Sequence, residues 1–192
     1  MKVAVRADDL PARADVREEL EPLAHVLPAA RDRRDRLQML SHQSNGGRLI
    51  RHHGDYHLGQ TLLAESGWVI LDFEGEPARS LPERRRKRSP LRDVAGMLRS
   101  FAYAASAAEQ QRGSAAPAGW EGSMREAFLE GYFDTADPYL LPPGHEAVGK
   151  LLSVFELEKA IYELRYELNN RPDWVGIPVA GIERLLVADE LA

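Results

Sequence analysis

The spacing of apolar residues predicts helices through most of the chain after residue 89. Apolar side chains recur there three and four positions apart, which places them on one face of a helix. Ser89 and Pro90 are typical of an N-cap and a first helical position. The first predicted stripe consists of Val94, Met97, Leu98 and Phe101. The longest predicted helix covers about residues 146–169, and its stripe consists of Leu151, Val154, Leu157, Ile161, Leu164 and Leu168.

Shorter helices accompany these two. One is predicted at residues 123–133, between a flexible loop at 113–119 and a proline-containing connection at 134–144. A last short helix is expected after Pro178. Residues 1–40 also have a helical pattern, which prolines interrupt.

The pattern changes to a β-like one between residues 48 and 73. Residues 67–73, GWVILDF, form a compact apolar run after a turn-like segment, which predicts a strand. Residues 61–63 are its expected antiparallel partner, and residues 48–52 are also β-like. A lone hairpin is too small to be stable, so we expect it to rest against helices. The whole pattern predicts a mainly α-helical fold with a small β-hairpin.

Composition excludes several classes of chemistry. The 192 residues include 25 Lys and Arg against 30 Asp and Glu, a formal charge of −5 that disfavours general nucleic-acid binding. Because cysteine is absent, disulfides, thiolate metal sites and a cysteine nucleophile are excluded. No apolar run has the length of a signal-peptide core or a membrane span. We therefore expect a cytoplasmic protein with neither nucleic acid nor membrane as its partner.

Two segments carry the candidate chemistry, HGDYHLGQ at residues 53–60 and LDFEG at 71–75. Asp55 precedes the amide of Gln60 by five positions, and Asp72 ends the apolar strand. Kinase-type sites place a base, a metal-binding amide and a metal-binding Asp in this order. Each residue by itself is more often a loop or turn residue. Their order and separation together favour phosphoryl transfer.

A transition-metal hydrolase site is the alternative that these residues leave open. His52, His53 and His57 cluster with Asp55, and the HxDxH spacing is compatible with metal binding. Such sites draw further ligands from elsewhere, and the other histidines lie in ordinary helix or loop contexts. We therefore rank phosphoryl transfer first, with His53 orienting the loop around Asp55.

HGDYHLGQ followed by LDFEGEP resembles the catalytic and metal-binding loops of the aminoglycoside phosphotransferase-like, protein-kinase-like superfamily. The run from RHHGDYHLGQ to RSPLRDVAGMLRSFAYAA, with the later FELEKAIYELRYELNNRPDWVGIPVAGI, resembles bacterial maltokinases, a domain also fused to trehalose synthase. The resemblance covers roughly residues 30–192. It implies a kinase-like C-lobe, ATP and Mg²⁺ as cofactors, and conversion of maltose to maltose 1-phosphate. That product feeds glycogen-type α-glucan synthesis from trehalose and maltose.

The resemblance also implies roles for single residues. Asp55 matches the catalytic base. The implied metal-binding set comprises Gln60, Asp72 and Glu74. His53 and Asp93 match structural supports of the catalytic loop.

Tyr162 and Tyr166 lie four positions apart beside Lys159 and Glu163. Tyrosines at this spacing either pack on a neighbouring helix or offer their faces to a sugar ring. The resembled family binds its acceptor sugar in the C-lobe, which favours the second interpretation. These four residues form the predicted substrate-binding set.

The basic run at residues 83–88, ERRRKR, has two interpretations that the sequence does not separate. It is either a solvated loop, as charge runs usually are, or an electropositive rim near the phosphates.

A kinase-type site also needs a nucleotide clamp with a phosphate-covering loop and a strand lysine. Neither feature precedes His53 in this chain. We therefore expect a helical segment at residues 1–40 and a C-lobe at 41–192, with little turnover unless an N-lobe is supplied. Trehalose synthase is a further possible partner. The alternatives are another small-molecule phosphotransferase, acting on an aminoglycoside, choline or another sugar, and a non-catalytic interaction module.

Overall fold

The structure is a computed structural model that describes residues 47–77 and 79–187, together with position 28. Its strands and helices are β1 Thr61–Ala64, β2 Gly67–Ile70, α1 Leu81–Arg84, α2 Leu91–Arg112, α3 Trp120–Thr135, α4 His145–Asn170 and α5 Gly176–Val187. Short 3₁₀ turns lie at Leu58–Gln60, Pro138–Leu140 and Pro172–Trp174. The described part is thus mainly α-helical with one two-stranded sheet, as predicted. The helix predicted within residues 1–40 lies outside the described residues, apart from position 28.

Helix α4 packs along α2 on one side and α5 on the other, and the core lies in these two seams. The seam between α2 and α4 buries Leu91, Val94, Ala95, Met97, Leu98, Phe101, Leu151 and Leu152. The seam between α4 and α5 buries Leu157, Ala160, Leu164, Val175, Val179 and Ile182. Full burial of one such aliphatic side chain stabilises the fold by about 1.5–3 kcal/mol. The predicted stripe of α2 is confirmed, whereas Ile161 and Leu168 of α4 are only partly buried.

Helix boundaries differ from the predicted ones by a few residues. Pro90 is the N-cap of α2, and the hydroxyl of Ser89 accepts a hydrogen bond from the Leu91 amide at 3.3 Å. Helix α5 begins at Gly176 and therefore includes Pro178 in its first turn. A first-turn proline is tolerated because its missing N–H has no partner inside the helix. In the described ranges, no helix has the length and apolar content that crossing a membrane requires.

The hairpin is antiparallel, with Thr61 opposite Ile70 and Ala64 opposite Gly67. Strand β2 ends three residues before the predicted limit, and residues 48–52 contribute only a single bridge between Ile50 and Arg88. The expectation that helices cover the hairpin is wrong for much of its apolar surface. Leu63 and Trp68, for example, are 66% and 71% exposed.

Candidate active site

The loop at residues 53–58, called the Asp55 loop below, is held against the first turns of α2 by Asp93. The two carboxylate oxygens of Asp93 accept hydrogen bonds from successive backbone amides, His53 at 2.7 Å and Gly54 at 2.9 Å. Hydrogen bonds to a charged group stabilise by about 1.5–3 kcal/mol each. Asp93 therefore holds the start of the loop in place. This geometry is compatible with the structural-support role of Asp93, which stays a prediction.

Two further residues of α2 contact the Asp55 loop and help to position it. A Cβ atom at Gly96 would lie 2.6 Å from the carbonyl oxygen of Tyr56, so only glycine allows the loop to approach this closely. The hydroxyl of Ser100 accepts a hydrogen bond from the Leu58 amide at 3.2 Å. Positions 93, 96 and 100 fall on one helix face. Sequence reasoning singled out Asp93 but missed Gly96 and Ser100. The available signal was their spacing of three and four positions within a predicted helix.

The buried imidazole of His53 connects the Asp55 loop to the end of β2. Its Nδ1 accepts a hydrogen bond from the Asp55 amide at 3.3 Å, and its Nε2 lies 2.6 Å from the carbonyl oxygen of Leu71. Because a carbonyl only accepts, we assign the ring proton to Nε2. Both ring nitrogens are thus engaged, and His53 has no lone pair free for a metal ion. The orienting role predicted for His53 stays a prediction, and the hydrolase alternative loses one of its ligands.

The carboxylate of Asp55 lies between the ammonium group of Lys159 and the imidazole of His57. Its Oδ1 is 3.1 Å from Nζ of Lys159 on α4, and its Oδ2 is 3.8 Å from Nε2 of His57. Burial by itself would raise the pKa of Asp55. The contact with His57 and the positive charge of Lys159 outweigh it, and they hold the pKa of Asp55 well below its ordinary value. The carboxylate is therefore ionised at neutral pH.

Glu76 extends this arrangement beyond Lys159. Its Oε2 lies 3.7 Å from Nζ of Lys159, and its Oε1 accepts a hydrogen bond from the hydroxyl of Tyr162 at 2.7 Å. Burial and that bond to a carboxylate raise the pKa of Tyr162. Asp55, Lys159, Glu76 and Tyr162 form one connected chain, called the Asp55–Tyr162 network below. Sequence reasoning missed Glu76. The available signal was the position of its carboxylate, two residues after that of Glu74.

A cavity of about 720 Å³ runs along this network. Its lining includes Asp55, Glu76 and the whole predicted substrate-binding set, Lys159, Tyr162, Glu163 and Tyr166. Ligand pockets of this size combine apolar or aromatic walls with a few directed polar groups. The structure therefore brings the predicted base and the predicted substrate-binding residues together in one cleft.

One member of that set has a structural partner. The carboxylate of Glu163 accepts two hydrogen bonds from Arg99 of α2, at 2.7 and 3.1 Å. Arg99 is only 2% exposed, and it packs so closely on Gly181 of α5 that a Cβ atom there would collide with the guanidinium group. A buried ion pair of this kind is costly to break from one side. Glu163 therefore helps to hold three helices together besides lining the cavity.

Arg171 and a group of aromatic rings close one end of the cavity. The guanidinium carbon of Arg171 lies 4.6 Å from the ring centroid of Trp174, which stacks on Tyr103 at 5.8 Å. The same guanidinium donates to the buried carboxylate of Glu167 at 2.7 and 2.9 Å, and the Tyr103 hydroxyl donates to it as well. Sequence reasoning did not single out Arg171, whose contact with Tyr103 crosses 68 positions and leaves no local pattern.

The predicted metal-binding residues lie outside the lining of this cavity. The Gln60 side-chain amide donates a hydrogen bond to Oδ2 of Asp72 at 3.3 Å, while Glu74 is exposed and bonded to neither residue. Asp72 has a φ of 55°, the one positive φ of a non-glycine residue in the described part. Such backbone strain is common at functional sites. No group of three or more His, Cys, Asp or Glu side chains in the described ranges is placed to hold a metal ion.

The basic run at residues 83–88 divides into three parts. Glu83 belongs to the capping box of α1, where Ser80 donates to its carboxylate from both amide and hydroxyl. Arg85, Arg86 and Lys87 are exposed. Arg88 turns back, bonds to the Ile50 backbone at 2.9 and 3.0 Å, and is half-buried. The solvated-loop interpretation therefore fits the middle of the run, and the end of the run lies beside the site.

The chain is similar in sequence to two curated sugar kinases, although no protein-family model matches it. The glucosamine kinase of Mycolicibacterium smegmatis is 31% identical over 138 residues, which are 70% of this chain and 34% of that protein. The glucosamine kinase of Streptacidiphilus jiangxiensis is 27% identical over 144 residues, which are 73% of this chain and 32% of that protein. The chain thus spans about a third of the length of these curated relatives.

Solved structures of glucosamine kinase show the same likeness. A complex with glucosamine, ADP and inorganic phosphate superposes with a TM-score of 0.66 at 22% identity, covering 88% of this chain and 50% of that one. A further crystal form gives 0.62 at 25% identity, covering 71% and 34%. The fold is therefore sugar-kinase-like. The resemblance to maltokinases is supported to that level, and maltose itself stays a prediction.

Proposed function

We propose that this protein is a sugar phosphotransferase, in which the cavity beside Asp55 holds the acceptor sugar and ATP supplies the phosphoryl group. The observation that carries the proposal is the meeting of Asp55, Lys159 and Tyr162 at that cavity, although they come from distant parts of the chain. The similarity to glucosamine kinases supports a sugar as the acceptor class.

Asp55 is the group that we assign to the acceptor hydroxyl. Its Oδ1 is engaged by Lys159, whereas its Oδ2 has a longer contact of 3.8 Å with Nε2 of His57. A hydroxyl bound in the cavity donates its hydrogen bond to Oδ2. The lowered pKa makes Asp55 a weak base, but phosphoryl transfer passes through a loose transition state in which orientation matters more than basicity. The carboxylate thus orients the oxygen of the acceptor hydroxyl and accepts its proton late in the phosphoryl transfer.

Gln60 and Asp72 are the residues that would hold Mg²⁺. An amide oxygen and a carboxylate are the hard ligands that Mg²⁺ takes, and these two side chains already touch at 3.3 Å. Rotation of the Gln60 amide by half a turn presents oxygen instead of nitrogen. When bound, Mg²⁺ supplies charge neutralisation at the phosphate oxygens. Glu74 stays the predicted third member of this set.

The charge of the cavity favours an amino sugar. Four carboxylates line it, from Asp55, Glu76, Glu163 and Glu167, against three cations, Lys159 and Arg171 in the lining and Arg99 behind Glu163. An ammonium group on the acceptor would find an acidic wall, and the relatives are named for glucosamine. Maltose is the second candidate, because a cavity of about 720 Å³ has room for a disaccharide.

We further propose that the described residues act as the acceptor-binding lobe, and that the nucleotide clamp lies on polypeptide outside them. The supporting fact is that the chain spans about a third of its curated relatives. Trehalose synthase as a partner stays a prediction. If the protein is instead a non-catalytic module, it binds sugar but shows no turnover even when a nucleotide-binding lobe is supplied.

The proposal is tested by ADP release with ATP and Mg²⁺, comparing glucosamine, maltose and no acceptor. The result expected is release that depends on the acceptor and is lost in Asp55→Asn. A matched control is Glu146→Gln, which alters an exposed ion pair at the start of α4. Release that is independent of any sugar, or unchanged in Asp55→Asn, would contradict the proposal. Because the proposed nucleotide clamp lies outside the described residues, sugar binding is measured separately by calorimetry.

A further inference from the structure

A second, smaller cavity adjoins the Asp55–Tyr162 network and contains three arginines. Its volume is about 70 Å³, and all four residues of the network line it as they line the larger cavity. Its remaining wall includes Arg79, Arg88 and Arg92, together with His52 and the carboxylates of Asp93 and Glu158. We call this cavity the arginine pocket.

Two of these arginines have no carboxylate within ion-pairing distance in the part of the chain that the structure describes. Arg92 pairs with Glu158 at 2.8 Å, and Lys159 on the shared wall is committed to Asp55. Within the described ranges, no carboxylate lies at ion-pairing distance from Arg79 or Arg88. Among the described residues, Arg92 is thus the one arginine of this pocket with a carboxylate at ion-pairing distance.

The half-buried Arg88 lies in a place that disfavours its positive charge. Burial lowers the pKa of Arg88, and the charges of Arg92 and Arg79 lower it further, while Glu158 offsets part of this effect. A guanidinium group does not lose its proton at physiological pH, so the repulsion persists in the structure. An anion between these groups would relieve it.

An unpaired buried nitrogen belongs to a residue that lines the same pocket. Nδ1 of His52 is buried and has no hydrogen-bond partner among the described residues. More than nine in ten buried polar groups in proteins are paired, so an orphan calls for a missing partner. Because His52 lines the arginine pocket, a ligand in that pocket is within its reach.

We propose that the arginine pocket is a binding site for a small oxyanion, a phosphate group or one of similar shape, held by Arg79, Arg88 and His52. Guanidinium groups bind such oxyanions with two parallel hydrogen bonds. A single water occupies roughly 10–15 Å³ of such space, so a pocket of about 70 Å³ holds a tetrahedral oxyanion but not a sugar.

Two sources of the same chemistry fit the site. One is free inorganic phosphate, and the other is the phosphate of a phosphomonoester. Arg79 is exposed, so the remainder of an ester has a way out to solvent on that side. The site needs neither a sugar nor a nucleotide, and it is tested independently of the proposed activity.

The test is calorimetric titration of the whole chain with inorganic phosphate and, separately, with methyl phosphate at constant ionic strength. We expect saturable binding that Arg88→Met and Arg79→Met each weaken at least roughly tenfold, the loss of one charge-assisted contact. The matched control is Arg165→Met on an exposed part of α4, which leaves binding unchanged. Binding of both anions, or of one alone, supports the site and identifies its source.

A second readout does not depend on any variant folding. The imidazole ¹⁵N resonances of His52 shift on titration with the bound anion, whereas those of the exposed His145 stay in place. Absence of saturable binding with both anions would overturn the proposal. Equal weakening by Arg88→Met and Arg165→Met, or unmoved His52 resonances during saturable binding, would overturn it as well.

Discussion

Nζ of Lys159 lies 3.1 Å from Oδ1 of Asp55, although 104 positions separate the two residues in sequence. The Asp55 loop is seated on α2 by Asp93, while the charge that faces Asp55 comes from α4. The position and the ionisation of this carboxylate therefore depend on the packing of α2 against α4. The core of the fold and the candidate site are one structural unit.

Replacing Lys159 by Met is expected to raise the pKa of Asp55, because the opposing charge is lost and the burial that raises the pKa remains. The depressed pKa contributes stability that is present above the ordinary pKa of Asp and lost as pH falls through the folded-state pKa. The variant should therefore lose about 1–3 kcal/mol of unfolding free energy at neutral pH, and less at acidic pH. Urea unfolding across pH 2–7 measures this difference.

Lys150→Met is the matched control for that experiment. Lys150 pairs with Glu146 on the exposed face of α4, where such pairs contribute at most about 1 kcal/mol. An equal loss of stability in both variants would contradict the role assigned to Lys159.

Gly96→Ala is expected to displace the Asp55 loop, because the added Cβ atom would lie 2.6 Å from the carbonyl oxygen of Tyr56. Overpacking of this kind costs about 1–3 kcal/mol, and we expect sugar binding to weaken along with stability. Thermal unfolding and calorimetry measure the two effects. Gly149→Ala on α4 has open space around it and should be neutral or stabilising by up to about 1 kcal/mol. Gly96→Ala behaving like Gly149→Ala would refute the close approach.

Asp93→Asn should loosen the start of the Asp55 loop. An amide offers one oxygen where the carboxylate offers two, so the bond to either His53 or Gly54 is lost. We expect a loss of about 1–3 kcal/mol and faster hydrogen exchange at those two amides. Asp137→Asn, at a 3₁₀ turn remote from the loop, keeps its single bond to Tyr139 and serves as the control. Unchanged exchange at His53 and Gly54 would show that Asp93 does not hold the loop.

Tyr162→Phe removes the hydroxyl that donates to the buried carboxylate of Glu76. We expect a loss of about 1 kcal/mol in stability and a several-fold weaker affinity for the sugar, with the ring face still in place. Tyr139→Phe, at a site 82% exposed, should change neither quantity. Sugar affinity that is insensitive to Tyr162→Phe would place the sugar away from this part of the cavity.

Features that depend on short sequence separations were predictable. The helices of the second half follow from their apolar spacing, and the hairpin follows from a compact apolar run after a turn. Asp55, Gln60 and Asp72 were singled out because their order and separation carry the pattern, and their roles stay predictions. The hydrogen bond between Gln60 and Asp72 spans only 12 positions.

Features that depend on helix packing were not predictable. The ion pair of Glu163 with Arg99 was missed because it crosses 64 positions and leaves no periodic trace, and the substrate-binding role of Glu163 stays a prediction. Glu76 was missed because its partner Tyr162 lies 86 positions away. The exposed hairpin was expected to be covered, since an apolar strand by itself does not reveal which surface it meets.

Calorimetric titration of the chain with glucosamine and with maltose examines the sugar site without requiring turnover. We predict saturable binding of glucosamine to the wild-type chain, and binding at least roughly tenfold weaker after Asp55→Ala, since the bond from the sugar hydroxyl to a charged acceptor is lost. If maltose binds and glucosamine does not, the proposed acceptor changes to maltose and the proposed sugar site stays the same. The absence of saturable binding for both sugars, or binding indifferent to Asp55→Ala, would contradict the assignment of this cleft to a sugar phosphotransferase.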